Sequence, residues 1–282
     1  VIKIDEYFFR GQIYLFLKNY LCIIFYVLLK TNKRGALGFF EMLENKIITA
    51  IIPAYNEAPR LMQVLKVIAR VQFIDEILVV DDGSRDATAR IPSRLAIDVL
   101  RHTRNKGKGA ALVNGIRKKC ESDIYLFLDA DLIQLREEHL LALVKPIVQN
   151  PSIDMTVGVF KGGRSSSDLA QKLCPILNGQ RAVRGSWIKN IKDFSWSRFG
   201  VEVFLTHYAR DFGAQIEMVP LWGISHYHKE EKYGPILGLY HRIKMYIEII
   251  YVYLLYESKI KIKEKVVPDK PTEKKDEMYA RV

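Results

Sequence analysis

Asp129 and Asp131 flank a single alanine at the end of the apolar run IYLFL, residues 124–128. Side chains two positions apart in an extended chain point to the same side, so both carboxylates can address one hard cation. Mg2+ or Mn2+ takes such oxygens while keeping room for substrate phosphates. A lone Asp-x-Asp is common in acidic turns; after a buried apolar strand it carries more weight. Three other loops hold related chemistry: Pro53-Ala54-Tyr55-Asn56-Glu57, Asp81-Asp82-Gly83-Ser84 and Asn105-Lys106-Gly107-Lys108-Gly109. Gly107 and Gly109 let backbone amides approach an anion, and Lys108 adds charge. Their spacing fits neither a Walker loop nor G-x-G-x-x-G. Asp82 stands where a carboxylate can accept a proton donor of a base.

Elements that bring four such loops together can be read from hydropathy. Residues 47–52, 76–80 and 124–128 are short, nearly continuous apolar runs, and 96–100 is a weaker one. Such runs suit strands covered on both faces. Helical stretches lie between them at 59–69, 86–95 and 109–120, the second shortened by Pro92. The alternation predicts an α/β domain with a mostly parallel sheet and helices on both faces, whose ligands gather at the carboxyl ends of the strands. After Pro151 the expected order is strand 155–160, helix 167–177, helix 200–212 and strand 216–220. A long apolar, Tyr-rich helix at 233–256 follows, then the basic run 259–265 and a Pro/Lys/Glu tail expected to be disordered.

Both ends are apolar. Residues 13–29 are apolar apart from Lys18 and Asn19 and make a poor secretory signal. They read as a helix lying on a membrane or packed on the body, and less readily as a span. The domains expected are 1–45, an apolar helical segment; 46–232, the α/β body, split at 135; and 233–282, an amphipathic helix with a basic tail.

The 282 residues carry a formal charge of +11 and are 49% hydrophobic, which excludes a disordered chain. The excess is local. Residues 101–119 hold seven Lys or Arg and no Asp or Glu, and residues 161–198 hold eight against two. This distribution suits two phosphate-binding regions. No recognition module supports nucleic acid. Cys22, Cys120 and Cys174 form no CxxC pair, so neither a structural zinc nor a disulfide framework is expected, and a reduced, cytosol-facing protein is the default.

The segments TAIIPAYNE, EILVVDDGSRDAT, NKGKGAAL and LFLDADL, within residues 46–135, resemble the nucleotide-sugar half of family 2 glycosyltransferases of the GT-A fold. The resemblance implies that Pro53, Ala54, Tyr55, Glu57 and Asp82 hold uridine. It implies that Lys108 and Asp129 hold ribose and diphosphate, and that Asp131 binds a metal. The second half is similar to glucosyl-3-phosphoglycerate synthases at 162–164, 177–182, 199–202 and Ser225-His226. That likeness puts an acceptor phosphate on Gly163, Arg164 and Ser166, a metal on His226, and Glu202 near the acceptor. Glu202 is also the candidate base if the reaction inverts the anomeric carbon.

Simpler roles compete at several positions. Asp81 can cap a turn, Glu57 can serve as a helix-start carboxylate, and His228 rivals His226. Arg164 can be a surface arginine. Gln180, Arg181 and Glu202 can be core hydrogen-bonding residues, and Trp187, Trp196 and Trp222 packing ones. The expected function is transfer of a sugar from a nucleotide sugar, UDP-glucose or a relative, to a phosphate-bearing acceptor with Mg2+ or Mn2+. The acceptor is polyprenyl phosphate, another membrane lipid or 3-phosphoglycerate. The expected place is the cytoplasm, at the inner membrane face if the apolar ends make peripheral contact, with a homodimer as a further partner. The rivals are a nucleotidyltransferase of similar fold and a non-catalytic UDP-binding membrane scaffold. A nucleotidyltransferase would want a Gly-rich signature after the first strand, where Pro53–Glu57 has none.

Overall fold

A computed structural model describes residues 43, 46–162, 177–227 and 229–260. The chain divides into two units, Val1–Lys46 and Ile47–Val282. The second carries everything described below. The apolar segment 13–29, the helix expected at 167–177 up to residue 176, and the tail beyond 260 lie outside the described residues.

Seven strands make one sheet in the order β3-β2-β1-β4-β7-β6-β8. They are β1 (Ile48–Ala54), β2 (Glu76–Asp81), β3 (Asp98–Arg101), β4 (Ile124–Phe127), β6 (Ile153–Lys161), β7 (Arg181–Arg184) and β8 (Gln215–Trp222). β1 to β4 run parallel, as the continuous apolar runs predict. Ile51, Ile52, Leu78, Val79, Val80, Leu126 and Phe127 are each at most 1% exposed, so helices cover both faces of this half. Helix α1 (Ala58–Ile68) supplies Leu61, Val64, Leu65 and Ile68, an i, i+3, i+4, i+7 stripe. Helix α2 (Lys108–Lys118) starts at Gly107, whose φ of 95° suits glycine alone.

β7 breaks the parallel pattern and pairs antiparallel with both β4 and β6. The register Phe127↔Arg181 therefore brings the start of β7 to the carboxyl end of β4. An antiparallel strand delivers its leading residues to the edge where parallel strands deliver their trailing loops. A second, two-stranded sheet joins β5 (Leu132–Ile133) to β9 (Ser225–His226) at the same edge, pairing Leu132 with His226.

The stretch 86–95 differs from expectation. It forms two short 3-10 turns, Thr88–Arg90 and Pro92–Leu95, instead of a helix. Asp86 folds back onto Thr88, Pro92 has no N–H to donate, and Ala96 ends the segment in a left-handed conformation. Helix α3 (Glu137–Gln149) was not expected. Pro146 inside it disguises its pattern, but Leu140, Leu143, Val144, Ile147 and Val148 bury a regular stripe.

A short helix α4 (Gly185–Ile188) follows β7, and α5 (Val201–Asp211) packs over the second half of the sheet. Beyond β9 come α6 (Lys229–Tyr233) and α7 (Pro235–Leu255). The far end of α7 is anchored: Val252 and Tyr256 are buried, and the Tyr256 hydroxyl donates to Asp211 at 2.9 Å. Much of the rest is bare, with Ile236 86%, Ile247 61% and Tyr251 59% exposed. No helix among the described residues is long and apolar enough to cross a membrane.

Candidate active site

The loops after β1, β2 and β3 are stitched together by side chains. Asn56, in a left-handed conformation (φ 56°), donates its N–H to Ser84 Oγ and accepts from the Arg85 N–H, both at 2.9 Å. The Glu57 N–H donates to Thr88 Oγ1. Asp82 accepts from the N–H groups of Lys106 (2.8 Å) and Gly107 (2.7 Å), and its Oδ1 lies 2.7 Å from His102 Nδ1. Asp82 is thus buried and fixes the glycine loop. Asp81 is fully buried; it caps the Ser84 N–H, and its Oδ2 lies 3.0 Å from Arg101 as an ion pair without an aligned hydrogen bond.

These loops line an open cleft of about 610 Å3, bordered by Tyr55 and residues 83–85 and 101–105. The size suits a small ligand. Arg85, Arg101 and Arg104 on its wall were not singled out from sequence, although two of them belong to the basic run 101–119. Arg101 is held in place by Asp81 and by the Ser84 carbonyl at 3.1 Å.

Deeper in the edge, Lys108 begins α2. A cation at a helix N-terminus is unfavourable unless paired. Two carboxylates supply the pairing: Nζ lies 2.5 Å from Asp129 Oδ1 and 2.5 Å from Glu202 Oε1. Burial opposes the lysine's charge, but Asp129 and Glu202 outweigh it and hold its pKa well above the ordinary lysine value. Asp129 is drawn down to about 2: burial would raise it, but Lys108 prevails with help from Gln180 and His226. Gln180 grips Asp129 twice, accepting its N–H at 3.0 Å and donating to its carboxylate at 2.7 Å. Gly179 leaves room for this cluster, since a Cβ there would stand 2.5 Å from Lys108 Nζ and 2.7 Å from Asp129 Oδ2.

Arg181 is 1% exposed and donates to Asn178 O, Thr206 Oγ1 and the Glu202 carbonyl at 2.9–3.0 Å. It fixes the first turn of α5 and with it the height of Glu202. Burial pulls its pKa down to about 10, which leaves it protonated at neutral pH. Gln180 and Arg181 are hydrogen-bonding residues as one reading held, yet they also build the site. Trp187 and Trp196 pack against the core, whereas Trp222 is exposed.

Asp131 and Glu57 share a third cation. Lys232 of α6 forms ion pairs with both. Burial disfavours its charge, but the two carboxylates raise its pKa. Glu57 also meets Arg60 at 3.2 Å, and burial pushes its carboxyl above the usual range. Lys232 escaped the sequence reading because 175 positions separate it from Glu57. Pro53 and Ala54 end β1, and Tyr55 faces the cleft.

His226 comes beside the Asp129-Ala130-Asp131 turn through its pairing with Leu132, and its ring lies 5.9 Å from that of Phe160. Among the described residues, no three His, Cys, Asp or Glu side chains converge closely enough to hold an ion by themselves. An ion that takes one or two protein ligands and completes its shell with phosphates fits this donor set. Asp131 already carries a cation, the Lys232 ammonium, so the place favours positive charge. Gly163, Arg164, Ser166 and His228 lie outside the described residues.

The model of the family described as "Glycosyl transferase family 2" matches residues 49–204, more than half of the chain. The chain belongs to that family. The match covers both the donor loops and the Gln180–Glu202 side of the site. Among curated relatives, it is 28% identical over 172 residues to a UDP-N-acetylglucosamine–dolichyl-phosphate N-acetylglucosaminyltransferase of Methanococcus voltae, covering 54% of this chain and 56% of that protein. It is 27% identical over 213 residues to an undecaprenyl-phosphate 4-deoxy-4-formamido-L-arabinose transferase of Pseudomonas fluorescens, covering 67% and 61%. The chain thus spans less than two thirds of the length of these relatives. Among solved structures, glucosyl-3-phosphoglycerate synthase of Mycobacterium tuberculosis superposes with a TM-score of 0.63 at 23% identity, covering 77% of this chain and 81% of that one. The same enzyme in complex with Mn2+, UDP and glucosyl-3-phosphoglycerate gives 0.62 at 23% identity, covering 77% and 81%. The fold is therefore the GT-A type, a mostly parallel sheet with helices on both faces.

Proposed function

We propose that this family 2 chain transfers a sugar from a nucleoside-diphosphate donor, UDP-glucose or a close relative, to a phosphate borne on a lipid. The observation that carries the transferase reading is the Lys108–Asp129–Gln180–Glu202 cluster at the floor of the donor loops. Its lysine is charged and pre-positioned for a leaving diphosphate, while its two carboxylates outweigh that charge, so the cluster calls for a further cation beside it. The nucleoside would occupy the cleft beside Tyr55, and the diphosphate would run toward Lys108 and the glycine loop. Asp131 and His226 would hold Mg2+ or Mn2+, which when bound supplies charge neutralisation for the departing diphosphate. Glu202 would act as a base only after releasing Lys108, so its better-supported role is to position that lysine.

The bare apolar side of α7 favours a lipid over 3-phosphoglycerate as acceptor. The names of the two relatives described above support the same choice, since each includes a polyprenyl-type phosphate. The test is UDP release by purified protein with Mn2+, a panel of UDP-sugars, and polyprenyl phosphate or 3-phosphoglycerate as acceptor. Release with the lipid is expected. No release with any donor on either acceptor would overturn the enzyme reading, and release with 3-phosphoglycerate alone would overturn the lipid one. Asp131→Ala is expected to abolish turnover, and retained turnover would discard the metal assignment.

A further inference from the structure

Lys232 has a place that no donor-loop role accounts for. It sits on α6, just beyond β9, and its side chain is 3% exposed. Its ammonium joins two carboxylates from the loops of neighbouring strands: Glu57, beyond β1 at the start of α1, and Asp131, beyond β4. Lys232 is thus a positive charge on the carboxylate assigned above to the ion. Lys232 holds Oδ2, and a divalent ion on either oxygen of the same carboxylate would stand close enough to the ammonium to repel it strongly. α6 has only five residues, and the structure shows it tied to the donor edge through this side chain.

We propose that Lys232 is a tethered counter-cation that occupies Asp131 until a divalent ion displaces it, so that ion binding and release of α6 are one linked event. The proposal rests on the metal reading above and goes beyond it. It explains why a buried lysine faces the Asp-x-Asp turn: without it, the neighbouring Glu57 and Asp131 carboxylates would repel one another. It also gives α6 two states, pinned by Lys232 or freed by the ion, and α6 leads directly into α7.

The linkage is read by titrating Mn2+, alone and with saturating UDP, into the wild type, Lys232→Met and Arg60→Met, with binding followed by the free-Mn2+ paramagnetic resonance signal. Arg60→Met removes the same unit of charge beside Glu57 without touching Asp131. Lys232→Met is expected to bind Mn2+ about ten-fold tighter than wild type, and Arg60→Met within about two-fold of it. In the wild type, amide hydrogen exchange across 229–233 is expected to quicken when Mn2+ saturates the site. Equal gains in the two variants would overturn the proposal. So would unchanged exchange in Mn2+-saturated wild type, a readout that survives any folding defect in the variants. Failure of all three proteins to bind Mn2+, with or without UDP, would overturn the metal reading and the proposal together. Binding by Lys232→Met but not by wild type would uphold both.

Discussion

Replacing Lys108 by methionine removes the one ammonium that joins Asp129 to Glu202. The side chains of Lys108, Glu202 and Asp129 are 14%, 11% and 28% exposed, and both contacts are 2.5 Å long. Methionine keeps the length of the stem but leaves two inward-facing carboxylates without their cation. Asp129 keeps Gln180, whereas Glu202 loses its charged partner. Breaking one side of a buried pair costs about 3–5 kcal/mol, because the abandoned charge stays desolvated. For a unit of this size that is a fall in Tm of about 6–20 °C. Adding Glu202→Gln removes one of the stranded charges and should restore at least about 1.5 kcal/mol, so the double variant is more stable than Lys108→Met alone. Glu202→Gln by itself should cost less, since Lys108 keeps Asp129. Urea unfolding followed by tryptophan fluorescence measures all three. A loss under about 1 kcal/mol for Lys108→Met, or a deeper loss in the double variant, would refute the reasoning that the triad is a mutually dependent buried ion cluster.

Gln180→Leu removes the side-chain acceptor of the Asp129 N–H and the donor to its carboxylate together, and the same urea assay should show a loss of about 2–3 kcal/mol. Gly179→Ala forces Lys108 and Asp129 apart by its Cβ, so UDP affinity by calorimetry should fall about ten-fold or more, and unchanged affinity would place the diphosphate elsewhere. The pH dependence has a definite sign. Asp129 is depressed from 3.8 to about 2 in the folded protein, so its stabilisation is complete above the unfolded value and is lost as pH falls from about 4 toward 2. The loss is between about 2 and 3 kcal/mol at most, and Asp129→Asn should flatten that part of the acid-unfolding curve.

The donor half was legible because its signals are local. Continuous apolar runs marked β1, β2 and β4, whose loops hold Glu57, Asp82, Asp129 and Asp131, and the weaker run at β3 leads to Lys108. What those residues do to one another was not legible. Asp82 resembles a ligand-facing carboxylate in sequence, yet both its oxygens accept from within the protein, because the glycine loop folds back over it. β7 was missed since a four-residue strand with arginine at both ends has no periodicity to read. Arg181 and Gln180 gain their roles from its reversed direction, which only pairing with β4 and β6 reveals. Lys232 looked like one more lysine in the charged stretch 229–232, and nothing local distinguishes it from Lys229.

The partners in this site are far apart along the chain: 51 positions separate Asp129 from Gln180, 94 separate Lys108 from Glu202, and 175 separate Glu57 from Lys232. The order of synthesis therefore becomes an order of assembly. β1 to β4 can pair while the residues that neutralise their carboxylates are still being made. Glu57, Asp129 and Asp131 then crowd one sheet edge with Arg60 beside Glu57 and Lys108 beside Asp129 as compensating charges. Gln180, Glu202 and finally Lys232 arrive in sequence, each tying a later segment to that edge. The site is thus finished by the last compact turn before α7, and a nascent chain holds no complete donor site until nearly the whole described body has emerged.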